Sequence, residues 1–450
     1  MNRLFGTDGV RGIANTELTC ELSMQIGRAT AMVLSKNLCG KRPRVLIGMD
    51  TRASSEMLES AISAGLCSVG ADVLQLGVVP TPAVAHLVRE YGFDAGVMIS
   101  ASHNPCEYNG IKIFKNNGYK LPDELEEKIE EIILDNSLEI QTPIGGKIGR
   151  VRKSENAVSD YIEHLVTVTD MSFKGYKIAL DCANGSSSVS ANEVFTRLGA
   201  DVVVINADPD GVNINKNCGS THIDGLQKCV VDNNCDLGFA FDGDADRMLA
   251  VDHTGEIVDG DKCIAICAKH LKQLGELKND TVVVTVMSNF GFFRFCEENG
   301  IKCEKTKVGD RYVLEKMSEN GFCLGGEQSG HIIFLEHATT GDGQLSAIKL
   351  LTVLKDTGKT LKELSDEIET YPQVLINIPV SDFGKAQFSK DKQVQNAIRQ
   401  VEEKLGNEGR ILVRLSGTEP LVRVMLEGKD FDKINELGES VAQVIKERLV

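Results

Sequence analysis

The sequence predicts an α/β protein built of three topologically related α/β domains and a smaller C-terminal α+β domain. Three observations support this fold class. The chain of 450 residues is too long for a single hydrophobic core. One strand–helix–strand unit recurs three times along it, and the last segment changes to short strands with alternating polarity.

The recurring unit consists of a buried strand, a polar turn, a helix, a glycine and a second strand. The first strands lie at 44–50, 177–185 and 281–289, and the second strands begin at Gly70, Gly199 and Gly300. Nearly continuous apolar strands that alternate with helices are typical of parallel sheets covered on both faces. The three units therefore predict three related α/β domains.

The C-terminal segment has a different pattern. Residues 372–380, 410–414 and 422–427 alternate like half-exposed strands, and a helix is predicted near 434–448. Between the first two units, residues 121–133 predict a surface helix that serves as scaffold. We expect domain limits at 1–155, 156–255, 256–368 and 369–450.

Charge and composition exclude several classes of function. The formal net charge of −16 argues against a general affinity for nucleic acid or an anionic membrane. There is no secretory pattern and no stretch long enough to span a bilayer, so we expect a soluble, cytoplasmic protein. The 13 cysteines are odd in number and form no Cys-x-x-Cys pair, which favours free thiols.

Residues 97–114 contain the first chemical signal. An apolar strand runs into a polar loop that stops at Pro105, and Asn109–Gly110 predict a turn into a second strand. This pattern predicts that the hydroxyl of Ser102 is exposed at the end of a buried strand, where it can carry a covalent group. The alternative is a polar loop that only turns the chain, and for a lone serine it would be preferred. Three further polar loops with complementary chemistry favour the functional interpretation.

The second signal is an acidic loop between two apolar strands, with Asp242, Asp244 and Asp246. At ~4 Å and an effective dielectric constant of ~20, each pair of carboxylates repels by about 4 kcal/mol. Oxygen ligands of this kind indicate a hard divalent cation, with Mg²⁺ as the first choice. An EF-hand is excluded, because Arg247 and His253 occupy its glycine and glutamate positions. The alternative is a solvated acidic turn.

The third signal is the segment 414–423. Gly417 lies between the hydroxyls of Ser416 and Thr418, and Arg414 and Arg423 lie on either side of the turn. Backbone donors, hydroxyls and arginine forks suit a phosphate group. The segment is not a Walker loop, and taken alone it is equally well explained as a hairpin with two surface arginines.

The fourth signal is the glycine-rich segment 325–331. Glu327 and Ser329 can hydrogen-bond to sugar hydroxyls, and His331 can move a proton near neutral pH. A lone histidine is more often structural, so this segment is weak by itself.

Basic side chains complete the candidate set. In residues 5–12, glycines allow a ligand to approach closely and Arg11 carries a fixed charge. Lys112 and Lys307 add two further cations, although each is equally explained as a surface lysine.

Taken together, these segments resemble the motifs of the α-D-phosphohexomutases. The matching segments, in chain order, are Ala101-Ser-His-Asn-Pro105, Asp242-Gly-Asp-Ala-Asp-Arg247, Gly326-Glu-Gln-Ser-Gly-His331 and Arg414-x-Ser-Gly-Thr-Glu-Pro420. The opening segment 4–12, and Gln328 where related glucose and mannose mutases usually have methionine, resemble the bacterial phosphoglucosamine mutases.

The resemblance implies four domains around a central cleft and a phosphoserine at Ser102. It implies one Mg²⁺ per subunit, held by the phosphoserine with Asp242, Asp244 and Asp246. It further implies that Arg11, Lys112, His331 and Lys307 act near the reacting oxygens, one of them as general base. By position, Glu327 and Ser329 would hold sugar hydroxyls. The implied ligands of the non-reacting phosphate are Arg414, Ser416, Gly417, Thr418 and Arg423.

The implied reaction interconverts glucosamine 6-phosphate and glucosamine 1-phosphate through a 1,6-bisphosphate, which also acts as activator. It would feed UDP-N-acetylglucosamine and cell-wall synthesis. The partner would be a small sugar phosphate, with no nucleic acid and no membrane, and the family suggests a homodimer. The alternatives are a phosphoglucomutase or phosphomannomutase, a metal-dependent sugar phosphatase, and a non-catalytic sugar-phosphate sensor. A serine hydrolase is disfavoured, because Gly-x-Ser-x-Gly is absent around Ser102.

Overall fold

A computed structural model describes residues 4–6, 8–35, 41–135, 142–416 and 420–450. These residues divide into two compact units. The first comprises Met1–Met287 and Gly300–Asp366, and the second comprises Ser288–Asn299 and Glu367–Val450. No helix in the described ranges is both long enough and apolar enough to cross a lipid bilayer.

The first sheet of the first unit has six strands. They are β1 (Val10–Ile13), β2 (Arg44–Met49), β3 (Asp72–Val78), β4 (Ala95–Ile99), β5 (Tyr108–Lys115) and β6 (Val151–Lys153). Their order is β1-β5-β4-β2-β3-β6, and only β5 runs antiparallel to its neighbours β1 and β4. The accompanying helices are α1 (Cys20–Ser35), α2 (Ser55–Ser68), α3 (Thr81–Glu90) and α4 (Asp123–Leu134). Helix α4 is the predicted scaffold helix, and its Ile129 and Ile132 are buried in the core of this domain.

The second sheet follows in the chain. Its strands are β7 (Lys177–Asp181), β8 (Asp201–Ile205), β9 (Leu237–Phe241), β10 (Met248–Asp252) and β11 (Ile257–Val258), in the order β11-β10-β9-β7-β8. Its helices are α5 (Ala157–Val166), α6 (Ala191–Arg197) and α7 (Asp224–Asp232).

The third sheet contains β12 (Thr281–Thr285), β13 (Lys302–Thr306), β14 (Leu324–Gly326) and β15 (Ile332–Phe334), in the order β13-β12-β14-β15. The helices of this part of the chain are α8 (Gly260–Leu274), α9 (Phe290–Glu298), α10 (Asp310–Asn320), α11 (Gly343–Thr357) and α12 (Leu361–Ser365). Helix α9 belongs to the second compact unit.

The three sheets share one topology. Each contains three parallel strands followed by an antiparallel fourth, in the orders β3-β2-β4-β5, β8-β7-β9-β10 and β13-β12-β14-β15. The predicted pairs of first and second strands are all parallel neighbours. Three of the predicted chemical loops, at 100–107, 242–247 and 327–331, occupy the same position between the third and fourth of these strands. The prediction of three related α/β domains is confirmed.

The predicted turn at Asn109–Gly110 is wrong. Both residues lie within β5, where they pair with Gly12 and Arg11 of β1. A β-carbon at Gly110 would lie 2.5 Å from the carbonyl oxygen of Ser100, so glycine is needed for close packing rather than for a turn. The chain reverses earlier, in the loop that contains Ser102.

The second unit contains a smaller antiparallel sheet, as predicted. Its strands are β16 (Gln373–Pro379), β17 (Gly409–Leu415) and β18 (Leu421–Gly428), in the order β16-β18-β17. Its other helices are α13 (Asp382–Gln387), α14 (Lys392–Leu405) and α15 (Phe431–Leu449). Helix α14 was not predicted, although Asp391 caps its N-terminus and Val394, Val401 and Leu405 form a buried stripe. The predicted limits of the four domains remain predictions.

Close packing of α1 against α2 depends on two glycines. A β-carbon at Gly27 would lie 2.6 Å from the carbonyl oxygen of Ile62, and one at Gly65 would overlap the carbonyl oxygen of Met24. Because these obstacles are backbone atoms, the two helices would have to move apart to accommodate a side chain.

We therefore predict that Gly65→Ala destabilises the protein by ~1–3 kcal/mol, the usual effect of overpacking a core. The matched control is Gly225→Ala, also in a helix but with open space around the added methyl group. It should stabilise by about 0.5 kcal/mol, because alanine restricts the unfolded chain. Thermal unfolding midpoints of the two variants should move in opposite directions. A Gly65→Ala midpoint equal to that of the wild type would show that the helix pair is loosely packed.

Candidate active site

The acidic loop between β9 and β10 forms a compact carboxylate cluster. One oxygen from each of Asp242, Asp244 and Asp246 lies within 4.8 Å of the others, and all three residues are buried. Ala245 within the loop has a left-handed backbone with φ 56°. Thr81, at the start of α3, binds Asp244 through both its hydroxyl, at 2.6 Å, and its backbone nitrogen. The cluster is therefore held from two domains.

The members of the cluster differ in their electrostatics. Burial raises the pKa of Asp242 well above its usual range, and the charges of Asp246 and Asp244 raise it further. Burial acts the same way on Asp244, but Lys112 and the hydroxyl of Thr81 outweigh it and lower the pKa of that carboxyl. The surroundings thus favour the charged form of Asp244 and disfavour the charged form of Asp242.

Two carboxylate oxygens of the cluster support a metal site. Oδ1 of Asp244 and Oδ1 of Asp246 are buried and have no hydrogen-bond partner among the described residues. Buried acceptors without partners are costly, and a hard cation would satisfy them. The donor set therefore fits a divalent ion with oxygen ligands.

Ser102 lies directly against this cluster. Its Oγ donates a hydrogen bond of 2.6 Å to Oδ2 of Asp242 and lies 3.3 Å from Nδ1 of His103. Burial, together with the charges of Arg247 and Arg11, lowers the pKa of His103 to about 4, so this imidazole is neutral at pH 7. The expectation that Ser102 is exposed is wrong: the residue is only 1% accessible. The hydroxyl faces a buried site rather than open solvent.

Lys112, on β5, is the buried cation of the site. Its Nζ lies 2.9 Å from Oδ2 of Asp244, 3.4 Å from Oδ2 of Asp246 and 3.1 Å from Oδ2 of Asp8. Burial opposes the charge, but these carboxylates raise the pKa of Lys112 well above its usual value. Arg11 forms an ion pair with Asp8 and is partly exposed. Both predicted cations therefore lie near the carboxylate cluster.

A chain of alternating charges leads from this point to His331. Nζ of Lys120 pairs with Asp8 and lies 2.5 Å from Oδ2 of Asp310, which is 3.6 Å from Nε2 of His331. The backbone nitrogen of Gly341 donates to Nε2 of His331 at 3.2 Å. In the neutral ring this bond assigns the proton to Nδ1, which is buried and without a partner among the described residues.

The residues predicted from the glycine-rich loop do not all lie near the charged side chains described above. Oε1 of Glu327 accepts a hydrogen bond of 3.1 Å from the backbone of Gly309, beside Asp310. Ser329 is exposed. Lys307 is also exposed, and its Nζ lies 5.8 Å from the ring centre of Tyr312. The structure thus brings Glu327 near the charged chain and leaves Lys307 and Ser329 at the surface.

The second unit carries the predicted phosphate-binding residues. Arg414 and Arg423 are directly opposite each other on β17 and β18. Burial, and then the charge of Arg423, lower the pKa of Arg414. Like charges facing each other across two strands are destabilising, and an anion between them would relieve the repulsion. Ser416 is buried beside this pair, whereas Gly417 and Thr418 lie outside the described residues.

Sequence reasoning did not identify several residues that contact the site. Asp8 and Arg247 lie inside motifs that were quoted, next to residues that were selected. The backbone nitrogen of Arg247 donates to Oδ1 of Asp242 at 3.2 Å. Lys120 and Asp310 lie in no recognisable local pattern, because their role comes from an ion pair across 190 positions of the chain.

Comparison with known proteins gives a consistent family. Sequence profiles described as phosphoglucomutase/phosphomannomutase match the chain in four segments. These are α/β/α domain I at residues 2–139, domain II at 159–255, domain III at 259–371 and the C-terminal domain at 375–444.

Individual proteins agree with these profiles. The chain is 55% identical over 448 residues to a phosphoglucosamine mutase of Clostridium novyi, covering 100% of this chain and 99% of the relative. It is 56% identical over 449 residues to the phosphoglucosamine mutase of Acetivibrio thermocellus, covering 100% of both.

Two solved structures show the same fold. One is a phosphoglucomutase/phosphomannomutase family protein of Burkholderia thailandensis, with a TM-score of 0.82, 23% identity and coverage of 99% of this chain and 98% of that one. The other is an N-acetylphosphoglucosamine mutase of Aspergillus fumigatus in complex with GlcNAc-6P and magnesium. Its TM-score is 0.71 at 17% identity, with coverage of 99% of this chain and 96% of that one. From its four matching domains and its full-length relatives, the chain belongs to the phosphoglucomutase/phosphomannomutase family.

Proposed function

We propose that this chain is a phosphoglucosamine mutase, an intramolecular phosphotransferase that interconverts glucosamine 6-phosphate and glucosamine 1-phosphate. The full-length relatives at 55% and 56% identity carry that name and support the choice of sugar. The observation that carries the chemistry is the 2.6 Å hydrogen bond between Oγ of Ser102 and Asp242 inside a buried carboxylate cluster. A hydroxyl in this position becomes a phosphate carrier only if the surrounding negative charge is neutralised.

The charge balance of the phosphorylated site supports a divalent ion. A phosphoserine carries about −2 at neutral pH, so three ionised carboxylates beside it would bring the total to roughly −5. Lys112 alone does not compensate this charge. We propose that Asp242, Asp244, Asp246 and phosphorylated Ser102 hold Mg²⁺, which when bound would withdraw charge from the phosphoryl oxygens.

The transfer itself exchanges one phosphorus–oxygen bond for another. The bond between phosphorus and Oγ of Ser102 breaks while a bond to the free hydroxyl of the sugar phosphate forms, giving the 1,6-bisphosphate. Transfer of the other phosphoryl group back to Ser102 releases the isomeric product and restores the phosphorylated enzyme. Catalysis of such a step consists mainly of positioning and charge stabilisation.

The cations near Ser102 suit that task. Lys112 contacts three carboxylates and keeps its charge, so we assign it, with Arg11, to stabilisation of the transferring oxygens. Nδ1 of His331 is buried without a hydrogen-bond partner among the described residues, and we assign it to hydrogen bonding with the reacting oxygens. With Arg11 and Lys112 assigned to charge stabilisation, His331 and Lys307 remain from the predicted set as candidates for the general base.

Substrate recognition involves the remaining predicted residues. We assign Glu327, Ser329 and Lys307 to the sugar phosphate, following the family motif. The phosphate-binding group in this proposal is Arg414, Ser416, Gly417, Thr418 and Arg423. The facing arginine pair on β17 and β18 supports this assignment, since it is stabilised by an anion.

Sugar specificity is the first prediction. In coupled assays, the purified chain should convert glucosamine 6-phosphate faster than glucose 6-phosphate or mannose 6-phosphate. Inorganic phosphate should not appear at the rate of turnover. Faster conversion of glucose or mannose phosphate would assign the chain to another mutase of the family. Stoichiometric release of phosphate would indicate a phosphatase.

Ser102→Ala should abolish mutase activity, because the oxygen that carries the phosphoryl group is removed. Intact-mass measurement should find the phosphoryl group on the wild type and none on the variant, while circular dichroism stays unchanged. Ser159→Ala is the matched control, since this serine lies on α5 and its hydroxyl donates to the backbone oxygen of Asn156. Turnover at the wild-type rate in Ser102→Ala would refute the nucleophile assignment.

Asp244→Asn should raise the Mg²⁺ concentration for half-maximal activity by at least about 10- to 100-fold. That is the usual effect of replacing a residue that only hydrogen-bonds to a metal ligand, and Asp244 is proposed as a ligand itself. The variant loses one charge and a buried oxygen without a partner among the described residues. Asp232→Asn, an exposed change at the end of α7, serves as control. Activity titrated against Mg²⁺ distinguishes them, and identical curves would place the metal elsewhere.

A further inference from the structure

A buried arginine binds the backbone of the Ser102 loop from behind. Arg52, between β2 and α2, is only 2% accessible. Its Nη2 donates to the carbonyl oxygens of Ser102 at 2.9 Å and Asn104 at 2.8 Å, and its Nη1 donates to that of Pro105 at 2.5 Å. Three carbonyl groups of one short loop therefore converge on a single guanidinium group.

Asp50 fixes the orientation of this arginine. Its Oδ2 lies 2.8 Å from Nε of Arg52, and neither side chain is accessible to solvent. The same carboxylate accepts a hydrogen bond of 2.6 Å from the hydroxyl of Ser100. That hydroxyl in turn accepts one of 2.9 Å from the backbone nitrogen of Ser102. The Asp50–Arg52 pair thus holds the carbonyl oxygen of Ser102 directly and its backbone nitrogen through Ser100.

Asn215, from the second α/β domain, completes the arrangement. Its Nδ2 donates to the carbonyl oxygens of Ser102 at 2.9 Å and Asn104 at 3.1 Å. The acidic loop packs against the carbonyl oxygen of Ser102 as well. A β-carbon at Gly243 would lie 2.6 Å from that oxygen. The position of Ser102 is therefore set jointly with that of the carboxylates.

These bonds determine where the Ser102 hydroxyl points. The backbone nitrogen is held by Ser100, and the backbone oxygen is held by Arg52 and Asn215, so both peptide planes that flank Ser102 are fixed. The orientation of these planes sets the direction of the Cα–Cβ bond. Ser102 also has a left-handed backbone with φ 53°, a conformation that a serine keeps only when its surroundings impose it.

We propose that Arg52 and Asn215 are positioning residues for phosphoryl transfer, which aim Oγ of Ser102 by holding its carbonyl oxygen. The inference rests on the proposed mutase function and extends it to two residues outside the family motifs discussed above. Neither residue needs to contact the sugar phosphate or the metal. Their loss should therefore change the rate of transfer and leave binding of the sugar phosphate unchanged.

The test compares Arg52→Lys and Asn215→Ala with the wild type. Lysine keeps the charge of Arg52 but lacks the planar fork that binds Asp50 and the three carbonyl groups together, and alanine removes the amide group of Asn215. We expect kcat, normalised to the fraction of enzyme phosphorylated at Ser102 by intact mass, to fall about 10²-fold, as for a misplaced reacting atom. KM for glucosamine 6-phosphate should stay at the wild-type value.

Arg42→Lys is the matched control. This arginine belongs to the same domain and also binds one carboxylate, of Asp72, and one carbonyl oxygen, of Gly146, but it lies at the surface. It should retain the wild-type kcat. Circular dichroism and thermal unfolding of all variants identify the folded fraction, and Asn215→Ala decides the outcome if Arg52→Lys does not fold.

Each outcome is decisive. A fall in normalised kcat with constant KM supports positioning. Normalised kcat values equal to the wild type, whatever the thermal stability, would overturn it, and so would a change confined to KM or to the Mg²⁺ requirement. If the wild type and both variants are fully active, the positioning role is refuted and the proposed mutase function stands. A wild-type chain without mutase activity in the same assay would remove the proposed function and this inference with it.

Discussion

The hydroxyl of Ser102 and the carboxylates of Asp242, Asp244 and Asp246 share one buried region, and much of the first unit serves to bring them together. Charges buried without partners are strongly disfavoured in such surroundings. Lys112 balances Asp244, which leaves Asp242 with a raised pKa next to the serine hydroxyl. The site is thus arranged for an additional cation, and the need becomes greater once the serine carries a phosphoryl group.

The repeated topology explains how three different chemistries come to lie close together. In each α/β domain the loop between the third and fourth strands carries residues that the sequence predicts to be functional. One loop supplies a hydroxyl, the next supplies carboxylates, and the third supplies a glutamate and a histidine. Direct bonds connect them, from Ser102 to Asp242 and from the backbone of Met248 to Gly330. Glycines at the contacts, such as Gly243 and Gly341, allow backbone atoms of neighbouring segments to come into direct contact.

Much of this arrangement could be predicted from the sequence, because it depends on local patterns. The buried strands at 44–50, 177–185 and 281–289 were recognised by their apolar composition, and all three pair in parallel as expected. The acidic cluster was evident from three aspartates within five positions, and the structure confirms that they converge. The small antiparallel sheet of the second unit was likewise evident from alternation.

The remaining features depend on contacts between distant parts of the chain. Asn109–Gly110 has the composition of a hairpin turn, yet pairing with β1 holds it in a strand. Ser102 was expected at the surface, but the acidic loop of another domain covers it. Lys120 and Asp310 lie in no recognisable sequence motif. Their role becomes evident from the ion pair that they form between domains. Arg52 could not be identified from the sequence either, because the carbonyl groups that it binds lie 50 or more positions away in the Ser102 loop.

The most direct test of this account is the position of the metal in a crystal of the phosphorylated chain soaked with Mn²⁺, located by anomalous scattering. The account predicts one strong peak among Asp242, Asp244, Asp246 and the phosphoryl group on Ser102. A peak bound by other residues, or a phosphoryl group on Ser102 that shares no ion with the three aspartates, would contradict it.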